Sequence, residues 1–243
     1  MPENIFDERI ALNYDDADRA MFDEDKINST CSLLAEFAEN QRVLEFAIGT
    51  GRVALPLQDL GIEVHGIELS QPMIDQLSKK RGAENISVVI GDMARERISG
   101  TFQLVYLIYN TITNLITQSE QVDCFLNAAA HLHPGGYFVL EDQIPSIQSL
   151  PVGKTISAFD ASEEHIGIDE YDITNQTVVS HHYWIQGSSV EMFQSTHRYA
   201  WPGEYDLMAR IAGLEFYSRW ADWDKSEFTS NSKSHVSVWR KPL

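Results

Sequence analysis

The chain has 243 residues, 43% of them apolar, which suits one domain with a sizeable core, or one domain carrying an insertion. Eighteen Lys and Arg stand against 36 Asp and Glu, a formal charge of −18 that no basic run interrupts. Such a surface repels phosphate backbones and anionic lipid, so nucleic acid and membranes are not expected partners. The opening Met1-Pro2-Glu3-Asn4 has no apolar signal core, and no apolar run is long enough to span a bilayer. Cys31 and Cys124 lie far apart and lack metal-ligand spacing. No metal is expected, and two reduced thiols fit a cytoplasmic setting.

Taken in order, residues 24–38 place Ile27, Cys31, Leu33, Leu34 and Phe37 at helical spacing. Arg42–Phe46 reads as a short apolar strand, Gly51–Leu60 as a helix and Val64–Leu69 as a second strand. Gln71–Lys80 reads as a helix with Ser70 as N-cap and Pro72 in its first turn. Ile86–Ile90 and Phe102–Ile108 are further strands, the latter nearly all apolar and so buried on both faces. Ser119–Leu132 is a helix that Pro134-Gly135-Gly136 ends, and Tyr137–Glu141 a fifth strand. This alternation implies right-handed βαβ units around a parallel sheet. Residues 153–200 then read as long period-2 strands in an antiparallel meander, with a turn at Asn175. A helix over Gly203–Ala212, stopped by Gly213, and strands at Leu214–Trp220 and Val236–Trp239 close the chain.

Chemistry concentrates in Val43-Leu44-Glu45-Phe46-Ala47-Ile48-Gly49-Thr50-Gly51-Arg52, a strand entering a small-residue turn and then a helix. Small residues let the backbone approach a ligand, and the helix start offers free N–H groups. A dinucleotide fingerprint would need a third glycine where Arg52 stands. Glu68 ends the second strand, where a carboxylate can accept both hydroxyl protons of a ribose. Asp92 and Met93 follow the third strand, where they can hold and cover an adenine. Leu132-His133-Pro134-Gly135-Gly136 precedes the fifth strand.

In that order and spacing, these residues resemble the class I S-adenosylmethionine-dependent methyltransferases. The resemblance implies an α/β Rossmann-like fold with a mostly parallel seven-stranded sheet, helices on both faces and an antiparallel β insertion. It implies one domain over 1–243: a helical segment (1–40), a cofactor core (41–142), the meander (153–200) as lid or dimer surface, and closing elements (201–243). It implies S-adenosylmethionine as cofactor, held by Glu45, Ala47, Gly49, Gly51, Glu68, Leu69, Met73, Asp92, Met93 and Tyr109. The family usually has glycine at the position of Ala47, a departure that matters if the local φ is positive. A meander followed by Trp201-Pro202-Gly203-Glu204-Tyr205 is similar to glycine and amino-sugar N-methyltransferases, which implies a small-molecule acceptor.

Tyr14, Asn110 and His181 are the candidate catalytic residues. His181 and His182 are adjacent on a strand, so one at most faces the cleft. The meander's Tyr171, Tyr183, Trp184, Arg198, Tyr199 and Trp201 are candidates for the acceptor wall. His131 at a helix end is explained by the helix dipole. Glu141 and Asp142 are expected as exposed loop carboxylates, and Glu68, at a strand end, to support little packing. N-methylation is favoured because no residue stands out as the base that a hydroxyl acceptor needs. The alternatives are an O-methyltransferase, a nucleotide-binding oxidoreductase and a non-catalytic S-adenosylmethionine-binding protein. A homodimer is compatible with each.

Overall fold

The computed structural model describes residues 6–17 and 19–243, so the Met1–Asn4 opening lies outside it. Helices α1 (Glu8–Ala17) and α2 (Glu24–Ala38) come first, and the Asp23 side chain caps α2 by accepting from Lys26 N at 3.1 Å. The βα alternation follows: β1 (Val43–Phe46), α3 (Ala54–Asp59), β2 (Val64–Glu68), α4 (Gln71–Leu77), β3 (Ser87–Ile90), β4 (Phe102–Leu107), α5 (Gln118–His131) and β5 (Leu132–Gln143). Ser70 caps α4, and Thr117 with Glu120 forms a reciprocal capping box on α5. The antiparallel strands β6 (Ile156–Ala161), β7 (His165–Asp172), β8 (Thr177–Gln186) and β9 (Ser189–Arg198) pair in sequence order as a separate four-stranded sheet. Helix α6 (Pro202–Ile211), β10 (Glu215–Trp220) and β11 (Ser234–Arg240) return to the main sheet.

That sheet has seven strands in the order β10-β11-β5-β4-β1-β2-β3. Neighbours from β5 to β3 pair parallel, and β11 runs antiparallel to both β5 and β10. Every residue of β1 and β4 is buried, because helices cover both faces of the sheet. Phe46, Phe125, Phe138 and Trp239 fill the core on one side, and Leu34, Leu57, Leu104 and Tyr106 the core on the other. No helix among the described residues is long and apolar enough to cross a membrane.

Three boundaries depart from the sequence reading. Helix α3 begins at Ala54 rather than Gly51, whose φ of +78° lies outside the helical region. Helix α4 stops at Leu77. The Pro134-Gly135-Gly136 run does not end α5 but lies inside β5, where the register shifts between Phe102 and Leu104 of β4. A Cβ on Gly136 would stand 2.8 Å from the Gln103 carbonyl oxygen, so glycine is required for the close strand approach. The end of α5 is served instead by Lys241, whose Nζ donates to the carbonyls of Ala129 (2.8 Å) and Leu132 (2.6 Å).

The meander is rooted by a buried polar cluster. Arg198, 4% exposed, donates to Glu204 Oε1 at 2.6 Å and to Gln121 Oε1 at 2.5 Å. Gln121 in turn donates to the carbonyls of Ile112, Leu115 and Arg198. Burial opposes ionisation of Glu204, but hydrogen bonds from Gln176, Arg198 and Gln118 outweigh it and hold the carboxyl below its ordinary range. Removing one partner of such a pair strands the other. Arg198→Met should therefore destabilise the fold by about 3 kcal/mol, read as a lower urea midpoint. An unchanged midpoint would show that the cluster does not root the meander.

Candidate active site

The carboxyl ends of β1, β2 and β3 open into a cavity of about 620 Å³, within the size range of ligand pockets. Its floor is Ala47 and Gly49 from the β1–α3 loop, with Glu68, Leu69 and Met73 from the β2–α4 junction. Asp92 and Met93 come from the turn after β3, and Thr111, Asn114 and Leu115 from the stretch after β4. Two outlying elements complete it: the segment from Phe6 to Tyr14, including Arg9, and Phe193–Thr196 of β9.

Glu68 ties the floor together. Its Oε2 accepts from Gly49 N and its Oε1 from Ser70 N, both at 2.8 Å. The Ser70 hydroxyl donates to the Phe6 carbonyl at 2.6 Å and so fixes Phe6 at the cavity. Burial pushes the Glu68 carboxyl up, while N–H groups of Ser70, Gly49 and Leu69 act against that shift. This strand-end carboxylate, expected to support little packing, braces the loop through hydrogen bonds.

Ala47, Gly49 and Gly51 have φ of +53°, +57° and +78°. The glycines adopt this region freely, whereas a left-handed alanine costs about 1–2 kcal/mol. The departure at Ala47 thus falls on its costly branch, partly offset by packing of its methyl against the core. A Cβ on Gly51 would stand 2.4 Å from Leu77 Cδ1, so this glycine serves the approach of α4 rather than the cavity wall. Arg52 donates to the Met21 carbonyl at 2.8 Å and lies 5.1 Å over the Tyr109 ring.

Of the residues singled out from sequence, Tyr14, Ala47, Gly49, Glu68, Leu69, Met73, Asp92 and Met93 line the cavity. Glu45, Gly51, Tyr109, Asn110 and His181 do not. Glu45 is buried behind the loop and accepts from Tyr106 Oη at 2.9 Å. Desolvation raises its pKa to about 8, against the Tyr106 bond. Tyr109 and Asn110 form a left-handed turn, in which Tyr109 N donates to Glu141 Oε2 and the Asn110 carbonyl accepts from the Thr113 hydroxyl. His181 faces Glu170 (3.4 Å) on the meander face opposite to His182 and Phe193.

The meander wall also differs from expectation. It is β9 that reaches the cavity, while His182 and Trp184 of β8 stack on each other 5.2 Å apart beside Phe193. Asp142 is not exposed: it is 1% exposed, accepts from Tyr205 Oη at 2.6 Å, and burial raises its pKa to about 7. His131 is held by Asn127 O and Ile98 N, and burial keeps its imidazole below the ordinary range, so a charge–dipole role is replaced by a neutral structural one. Sequence reasoning passed over Ser195 and His197. Their spacing of two on a period-2 strand was the available signal, since it puts both on one face.

A parallel sheet with a small-residue turn after β1, an acidic end to β2 and an acidic turn after β3 defines a Rossmann-like α/β protein with its cleft at the strand carboxyl ends. A family model described as a methyltransferase domain matches residues 43–136. The chain is 35% identical to the CcbJ methyltransferase of Streptomyces caelestis, covering 96% of each chain at a TM-score of 0.86. It is 27% identical over 207 residues to the cypemycin N-terminal methyltransferase of a Streptomyces species, spanning 82% of this chain and 83% of that one. An amino pentose methyltransferase of Micromonospora echinaspora, solved with S-adenosylmethionine bound, shares the fold at 18% identity, covering 98% of this chain and 99% of that one (TM-score 0.71). The chain belongs to the class I S-adenosylmethionine-dependent methyltransferases, and S-adenosylmethionine is its cofactor.

The two buried carboxyls set a pH dependence. Their folded pKa values lie above the unfolded ones, so the folded chain holds protons that the unfolded chain releases. Their stabilisation is fully present below about pH 4, and each group loses about 1.4 kcal/mol per pH unit as pH rises toward its folded value. For Glu45 that window runs from 4.5 to about 8, and for Asp142 from 3.8 to about 7. Glu45→Gln should flatten the slope between pH 5 and 8 and abolish it above 7, measured by urea denaturation at several pH values. Equal slopes in variant and wild type would rule out a protonated Glu45.

Proposed function

We propose that the protein methylates the nitrogen of a small amine bound between the βα core and the meander, with the cofactor on the core side. The carrying observation is that one cavity joins the β1–β3 loop ends to β9. The residues present fit the cofactor. Glu68 accepts from the backbone N–H groups of Gly49, Ser70 and Leu69 and keeps one lone pair for a ribose hydroxyl. Asp92 Oδ1 accepts from Ala94 N at 2.9 Å, which leaves Oδ2 for an adenine amino group. Leu69, Met73 and Met93 supply the apolar contact for the ring, and a Cβ on Gly49 would narrow the floor to 3.4 Å from Met73 Cε. Glu45 and Gly51 act from behind, by holding the loop's strand and its approach to α4. Tyr109 and Asn110 shape the turn that presents Thr111 and Asn114.

Bound there, the cofactor supplies a methyl group already activated on a sulfonium. The protein's task is to align the acceptor and exclude water. Asp7, Glu68 and Asp92 line the cavity against the guanidinium of Arg9, a balance that favours cationic ligands. Tyr14, packed edge-on against Phe6 at 5.9 Å, and Phe193 give the acceptor side apolar surface. The amine reading draws support from relatives named as an N-terminal methyltransferase and an amino pentose methyltransferase. The acidic surface disfavours nucleic acid as acceptor.

Calorimetry should give micromolar binding of S-adenosylhomocysteine, on the order of −8 kcal/mol, weakened by about 1.5–3 kcal/mol in Glu68→Gln. Unchanged affinity in the variant would remove Glu68 from the ribose site. A screen of amino sugars, amino acids, short peptides and matched alcohols, read by S-adenosylhomocysteine formation, should give turnover with an amine. Turnover confined to alcohols would establish O-methylation instead.

A further inference from the structure

The cavity wall where β9 meets the core carries a polar chain that cofactor binding does not use. Ser195 is 7% exposed and lines the cavity, with its Oγ 2.7 Å from His197 Nε2. His197 Nδ1 lies 3.3 Å from Thr113 Oγ1, and the Thr113 hydroxyl donates to the Asn110 carbonyl at 2.7 Å. These contacts fix each proton. A carbonyl only accepts, so the single Thr113 proton is spent on Asn110. Toward His197, Thr113 can only accept, so Nδ1 carries the ring proton. Nε2 of the neutral ring is then an acceptor, and the Ser195 hydroxyl donates to it. The Ser195 oxygen is left with lone pairs for a ligand that brings an N–H.

The charge setting agrees. Burial keeps the His197 imidazole below its ordinary range, against the attraction of Asp169. The titratable groups sharing its face of the meander are His165, Asp169 and Tyr171 on β7, His182 on β8 and Glu191 on β9, with Asp160 of β6 bonded to His165. His182 and His197 repel each other's protonated forms. From the core, His197 meets the neutral Thr113. It is thus unprotonated near neutral pH, with a carboxylate near enough to favour a transient imidazolium.

We propose that Ser195 Oγ contacts the N–H of the methyl acceptor and relays the proton that the acceptor gives up to His197. This rests on the amine-methylating reading. In the reaction the acceptor nitrogen exchanges a proton for a methyl group. Its lone pair forms the new N–C bond, and the pair of the broken C–S bond stays on sulfur. The N–H proton passes to Ser195 Oγ as the Ser195 proton moves to His197 Nε2. The imidazolium keeps its Nδ1–H on Thr113 and returns a proton to water when product leaves. Ser195 is the contact residue, while His197 and Thr113 are positioning residues that act through it.

Two readouts test this on the full-length protein. The first needs no turnover: ¹⁵N NMR of histidine-labelled protein saturated with S-adenosylhomocysteine should show His197 in the Nδ1–H tautomer, and Thr113→Val should release that preference. The second uses the amine turned over fastest in the screen. Ser195→Ala should lower kcat/KM by about 10²-fold with S-adenosylhomocysteine affinity unchanged, and Ser195→Thr should restore most of the rate. The acid limb of the wild-type pH profile should coincide with the His197 pKa measured by NMR and vanish in His197→Gln. Absence of cofactor binding overturns both the relay and the function it rests on. Normal turnover with an Nε2–H tautomer, an unaffected Ser195→Ala or an acid limb unmoved in His197→Gln overturns the relay alone.

Discussion

A carboxylate buried at the end of β2 organises this protein's cleft. Glu68 accepts from Gly49 N across the gap between two strands and from Ser70 N at the start of α4. Those bonds join the loop after β1 to the turn after β2, and Ser70 passes the restraint on to the Phe6 carbonyl. Thr50 adds a bond from the same loop to Asp15 at 2.6 Å, and Asp15 also pairs with Lys80. The segment from Phe6 to Asp15 is thereby pinned over the cavity by the groups that shape its floor. A charge placed so deep has a desolvation cost, which its three backbone donors offset in part. A hydroxyl donor from a ribose would offset more, so the bracing of the floor and the affinity for a cofactor draw on the same carboxylate.

The left-handed loop is the second consequence. Residues 47, 49 and 51 all have positive φ, and an alanine in that series is strained. The strain persists because surrounding contacts over-determine the conformation: Glu68 holds Gly49 N, and Ile48 N donates to the Ile67 carbonyl at 3.2 Å. Strain held in this way is a common property of ligand loops. Here the N–H groups of Ile48, Gly49 and Gly51 are spent on the Ile67 carbonyl, Glu68 and the Ile48 carbonyl instead of on helical bonds, which accounts for the late start of α3.

Much of this was legible in the sequence. The βα alternation follows from apolar strand runs bounded by caps, and Ser70 and Pro72 marked the start of α4 correctly because capping is a local property. The cleft motifs followed from order and spacing along the strand ends. What escaped needed tertiary information. The Pro134-Gly135-Gly136 run looks like a helix stop, and only the approach of Gln103 shows that it is a strand irregularity. Asp142 reads as an exposed carboxylate and Glu45 as a cofactor ligand, yet both are buried and bonded to tyrosines from distant elements, Tyr205 and Tyr106. Alternation correctly separates His181 from His182 but cannot say which face turns inward. That is decided by Arg198 and by His197 meeting Thr113, contacts between segments about eighty residues apart.

The carboxyl groups near the cleft are sorted by their surroundings rather than by residue type. Glu45 and Asp142 receive one tyrosine donor each, too little to offset full burial, so Glu45 stays mostly protonated near neutral pH while Asp142 titrates there. Glu204 is bonded to Arg198, Gln176 and Gln118 and stays ionised. Glu68 lies between these cases and shares its neighbourhood with Glu45, so that ionising either one raises the other. Keeping Glu45 neutral therefore favours charge on Glu68, the group that faces the cavity. The Tyr106 hydrogen bond, though remote from any ligand, thus bears on the electrostatics of the floor: its strength decides how far Glu45 resists ionising, and with that how much negative charge Glu68 can present.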